Sequence, residues 1–191
     1  MPLVTQRVSD SNDEALAFTP GTLRCPVTIA YYIGNDGAVN DIGMRFQLSV
    51  PPGALIVSAK ITFTASANLS GDTVRTNITY QDADNPGDFS GESYATFQAR
   101  ARSSTSIAWD FTTNWATGST YDTVDLTELI QALVDELYWA SGEYCVIFVD
   151  DDGSDASAYR QAYSYYVDAN KAPLLTVEYS IAPRRRRMED C

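Results

Sequence analysis

Six runs of strand length, each rich in β-branched or aromatic residues, constrain this chain more than anything else in it. They are "VTIAYYI" (27–33), "IGMRFQLSV" (42–50), "LIVSAKITFTAS" (55–66), "TVRTNITYQ" (73–81), "YCVIFV" (144–149) and "LLTVEYSI" (174–181). Within "AKITFTA", Ile61 and Phe63 fall on one side and Lys60, Thr62 and Thr64 on the other, as a half-buried strand requires. Turn residues punctuate the runs: "GNDG" at 34–37, "PPGA" at 51–54, "NLSGD" at 68–72 and "DNPGDFSG" at 84–91.

One stretch has the other period. Over 125–137, "DLTELIQALVDEL" sets Leu126, Leu129, Ile130, Leu133, Val134 and Leu137 along one helical stripe. Asp125 with Glu128 three residues on has the form of a capping box. The expectation is one short amphipathic helix covering an open end or edge of a sheet. Its outer face is acidic, which argues against a membrane role. Together these features predict an all-β fold, a two-sheet antiparallel β-sandwich of jelly-roll-like form with one short helix.

At 191 residues the chain is the size of one domain, expected over 1–181, followed by a basic arm over 182–191. A formal charge of −12 argues against nucleic acid as a partner of the body. The arm runs against that charge, since Arg184, Arg185, Arg186 and Arg187 are consecutive. These arginines and Cys191 are the candidate intermolecular contact residues, the thiol being placed to form an intermolecular disulfide under oxidising conditions. Cys145, inside "YCVIFV", is expected in the core.

The chain has no histidine, which excludes His-dependent triads and the usual zinc and facial-triad iron sites. Asp and Glu are abundant, yet nothing in the sequence selects a carboxylate pair of the glycosidase kind. The expectation is a protein that is not an enzyme. The N-terminus lacks a basic then apolar leader and no run is long enough to span a bilayer, so a product made in the cytoplasm is expected.

Two clusters remain. "DDDGSD" (150–155) lacks the EF-hand pattern, because the twelfth position counted from Asp150 is Gln161. It is expected to be a solvated loop whose Asx side chains cap their own backbone. Calcium is the alternative, with Asp150, Asp152 and Asp155 as ligands and Asp10, Asp13 or Glu14 joining them. Trp109, Trp115 and Tyr121 are candidates for an exposed, sugar-stacking platform, whereas Trp139 beside the helix is assigned to the core.

The motifs "GMRFQLSVPPGALIVSAKITF" (43–63), "DLTELIQALV" (125–134), "YWASGEYCVIFV" (138–149), "YRQAYSY" (159–165) and "KAPLLTVEY" (171–179) follow one another in an order that resembles DNRLRE-like jelly-roll domains. These are relatives of carbohydrate-binding sandwich modules, found on secreted bacterial proteins and among tailed-phage particle proteins. "RF…PPGA" reads as a strand, a rigid turn and an antiparallel partner packing back on it, and Pro173 opens the closing strand where no ladder donor is needed. Such residues specify a scaffold and almost nothing of function. The tail "PRRRRMEDC" and the acidic loop depart from the resemblance. The functional expectation is a structural virion protein, a tailed-phage head, neck or decoration component, contacting other virion proteins or copies of itself. The alternative is a carbohydrate-binding module or adsorption protein that recognises a surface glycan.

Overall fold

The computed structural model describes residues 1–181. Two antiparallel sheets pack face to face, as the strand pattern predicts. The smaller sheet runs β1 (Leu3–Arg7), β12 (Leu174–Ser180), β6 (Leu55–Thr64), β9 (Thr120–Asp122). The larger runs β11 (Tyr159–Ala162), β4 (Tyr31–Asn35), β5 (Val39–Gln47), β10 (Tyr144–Asp151), β7 (Thr76–Gln81), β8 (Arg102–Ala108). A hairpin of β2 (Glu14–Phe18) and β3 (Thr22–Arg24) adds to the edge of β5 away from β10, with β2 paired along 40–44.

Alternation places the core. Ile61 and Phe63 of β6 and Leu175 and Val177 of β12 face Met44 and Phe46 of β5, Ile78 of β7 and Ile147 of β10, all buried. Trp139 joins them and its indole N–H donates to the Val50 carbonyl at 2.9 Å, so its core assignment holds. Cys145 is buried in the same cluster.

β10 does not alternate, because both its faces are covered. Cys145, Ile147 and Val149 face the other sheet, while Val146 and Phe148 pack outward against Phe89 and Phe97. Phe97 is carried by a helix absent from the sequence reading, α1 (Tyr94–Gln98), whose capping box pairs Ser93 with Thr96. Two arginines seal this layer. Arg100 lies over the Phe89 ring at 4.4 Å and holds Glu92 at 2.7 Å, and Arg102 lies over Phe148 at 3.7 Å.

The expected helix is α2 (Thr127–Val134), shorter than its apolar stripe. Asp125 caps by an Asx turn, its carboxylate taking the Thr127 N–H at 3.0 Å, and the predicted box with Glu128 does not form. Leu137 lies past the helix and is fully exposed, so it leaves the stripe. α2 closes the open flank between β6 and β8. There Gln131 accepts the Ile56 N–H at 2.8 Å and donates to the Ala54 carbonyl at 3.1 Å.

A second correction concerns "PPGA". β5 and β6 do not pair; the turn carries the chain from one sheet to the other, so the strands face each other across the core. β6 pairs instead with β12, from far along the chain, with Leu174 opposite Thr62 and Ser180 opposite Leu55, and at its other edge with β9.

Candidate functional site

The acidic loop is fastened by arginines. Asp150, at the end of β10, receives both Nε and Nη2 of Arg102 at 3.1 and 3.2 Å. Asp155 receives Nη1 of Arg75 at 2.7 Å, which holds its carboxyl below the usual range. Ser154 is buried and clasps the Arg75 backbone, accepting its N–H at 2.9 Å and donating to its carbonyl at 3.1 Å. Asp152 is exposed to solvent. Guanidinium groups thus occupy the places a cation would take, and among the described residues no three carboxylate or thiol groups converge on a metal position. The suggested helpers are engaged elsewhere: Asp13 pairs with Arg45 at 2.7 Å, and Glu14 points inward. The calcium set Asp150, Asp152 and Asp155 is therefore not assembled.

The aromatic platform is not at the surface either. Trp109 is 4% exposed and Trp115 3%, both within the main core. With Phe63, Phe111 and the half-buried Tyr121 they form a continuous stack, Trp109 on Phe111 at 4.6 Å and Trp115 on Tyr121 at 4.7 Å and 4°. The Tyr121 oxygen accepts the Ala116 N–H at 2.8 Å, pinning the 111–119 crossing. The sequence pattern fits core and platform equally; burial decides for core.

Two buried charges were not anticipated. Glu14 on β2 is fully buried, and its carboxylate takes the Tyr31 hydroxyl at 3.1 Å and the N–H groups of Tyr165 and Tyr166 at 2.7 and 3.1 Å. Burial pushes its pKa up to about 7 against those donors. Arg160 on β11 is also fully buried and, among the described residues, is satisfied by carbonyls alone, those of Thr113 and Tyr159 at 2.8 Å and of Thr112 at 3.2 Å. Each fastens a crossing segment to a strand. The only sequence signal was a charged residue inside an apolar run, "EALAF" and "YRQA".

Two larger concave surfaces stand out among the described residues. The first, about 480 Å³, lies between the β2–β3 hairpin and the β4–β5 turn. Leu16, Phe18 and Ile29 form its apolar wall, and Arg24, Tyr32 and Asp36 its polar side. The second is a groove of about 620 Å³ between α2 and β8, floored by Ile56, Ile107 and Ala132. Asp125, Glu128 and Asp135 rim it, and no described residue forms a salt bridge with any of them. Leu55, on the groove, is the partner of Ser180, so the described chain ends at its mouth. The predicted contact residues Arg184, Arg185, Arg186, Arg187 and Cys191 lie outside the described residues.

No protein-family model matches this chain, and no curated protein matches it.

Proposed function

We propose that the chain is a non-enzymatic structural subunit of a virus particle, a head, neck or decoration component, joined to neighbouring copies through its basic C-terminal segment. The observation that carries this reading is the groove beside α2. Its apolar floor and three carboxylates without cationic partners among the described residues complement the Arg184–Arg187 segment. One groove and one basic segment per subunit make a head-to-tail contact, which closes into rings or extends into larger assemblies. An exposed ion pair contributes only about 0.2–1 kcal/mol, so a single contact is weak. Multiplicity on a particle turns weak contacts into a durable shell. The resemblance to DNRLRE-like domains, some carried by tailed phages, supports the setting. The glycan-binding alternative loses its proposed surface, because the Trp109 and Trp115 faces lie in the core.

Sedimentation velocity of the full chain tests the contact. Association should rise with protein concentration and fall with salt. It should be lost both when Arg184–Arg187 become Gln and when Asp125, Glu128 and Asp135 become Asn, Gln and Asn. Association that survives both sets of changes refutes the reading. On the native source, co-sedimentation with a large particle and reductant-sensitive multimers through Cys191 are expected; a free monomer argues against a virion role.

A further inference from the structure

The cleft beside the β2–β3 hairpin takes no part in the subunit contact, and its chemistry differs from the rest of the acidic surface. Arg24 ends β3 opposite Leu16, with its guanidinium carbon 5.4 Å from the centre of the Phe18 ring. Its Nε is buried and has no hydrogen-bond partner among the described residues, and no described carboxylate forms a salt bridge with it. Every other described arginine side chain donates a hydrogen bond or an ion pair. No described residue engages any nitrogen of this guanidinium, so on the wall of the cleft the group is free to take an acceptor from outside the chain.

The rest of the cleft is built in advance of any ligand. Asn40 donates to the carbonyls of Gly34 and Ala38 and to the Asp36 carboxylate, each at 2.9 Å, which locks the 34–40 turn forming the far wall. Tyr32 is held by stacking on Tyr159 at 5.8 Å and 21°. Burial, with Asp36 adding to it, raises the Tyr32 pKa, so the phenol stays protonated and able to donate. Leu16, Phe18 and Ile29 supply an apolar surface for a ring.

We propose that this cleft binds a small molecule carrying a carboxylate on a flat apolar body, the carboxylate on the Arg24 guanidinium and the ring against Leu16, Phe18 and Ile29. The planar fork of arginine matches the two oxygens of a carboxylate. A net charge of −12 favours a monoanion over a dianionic phosphate. Asp36, which also lines the cleft, excludes a second anionic group and accepts from a ligand hydroxyl. 4-Hydroxybenzoate has all three features and serves as the probe.

Amide chemical shifts of the full, isotopically labelled chain report binding and location together. With 4-hydroxybenzoate, saturable shifts in the millimolar range are expected at Arg24, Tyr32 and Ala38. Arg24→Gln should weaken binding about tenfold or more with the spectrum otherwise retained. Ala38→Leu, which narrows the cleft and leaves Arg24 in place, should weaken it as well. 4-Hydroxybenzyl alcohol, the same ring without the carboxylate, should bind at least about tenfold more weakly. The proposal is overturned by shifts absent or scattered, by equal binding of the alcohol, by unchanged binding to Arg24→Gln, or by phenyl phosphate binding more tightly than the carboxylate.

Discussion

Tyr31 and Glu14 meet in the interior, the phenol of β4 donating to the carboxylate Oε2 of β2 at 3.1 Å with neither side chain in contact with solvent. The same carboxylate holds two amides of the 163–168 turn, and Ser164 beside them donates to the carbonyls of Val27 and Ile29, both at 2.8 Å. One acidic side chain thus ties three segments that are distant in sequence.

This knot makes stability depend on pH. The folded state keeps the Glu14 proton up to about pH 7, whereas the free side chain loses it near 4.5, because burial disfavours the charged form. Glu14 therefore adds stability that is complete below pH 4.5 and is lost as pH rises through 7. Relative to Glu14→Gln, the wild-type chain should lose about 3 kcal/mol across that window. Urea unfolding of both chains at several pH values measures the difference; parallel profiles would show that burial does not shift this group.

Arg160 has no carboxylate partner among the described residues, and its removal leaves the Thr112 and Thr113 carbonyls without the donors they have. Arg160→Leu should destabilise the fold by about 3 kcal/mol. Because those carbonyls lie between Trp109 and Trp115, the native tryptophan emission should shift to the red in the same variant.

Trp109→Ala and Trp115→Ala each open a cavity in the aromatic stack and should cost about 3–5 kcal/mol, read as a fall in the unfolding midpoint. An exposed platform would give the opposite result, with little change in stability.

Gly43 sits on β5 opposite Phe148 with the Phe89 and Phe97 rings directly above it. A Cβ there would lie 2.6 Å from Phe89 Cζ and 2.9 Å from Phe97 Cε2. Gly43→Ala should cost about 1–3 kcal/mol. Phe89→Leu in the same chain should recover part of that loss.

The central strands were legible in the sequence because their side chains alternate or run apolar for a strand's length, as in β6, β10 and β12. β1, β3 and β9 were not, since three to five residues at or near a sheet edge carry little period, and none of their residues is buried. β2 reads "EALAF", and its strand state follows from pairing with β5 rather than from propensity. Helix α2 was legible from its stripe, but Leu137 fits that stripe equally well and only the chain's turn after Val134 exposes it. Of the candidate site residues, Trp109, Trp115, Asp150 and Asp155 could not be placed beforehand, because what decides each is a partner distant in sequence: Phe63 for both tryptophans, Arg102 and Arg75 for the two aspartates. Arg24 was equally invisible, its distinction being the partner it lacks.

The Gln131 carboxamide has a consequence beyond holding α2. By taking the Ile56 N–H and giving its own to Ala54, it impersonates a peptide unit and occupies the berth where another molecule's backbone would zip on. Fibril-like growth is thereby barred along that margin of β6. At high concentration, copies of the chain stay free to meet through side chains while their backbones remain unavailable to one another there.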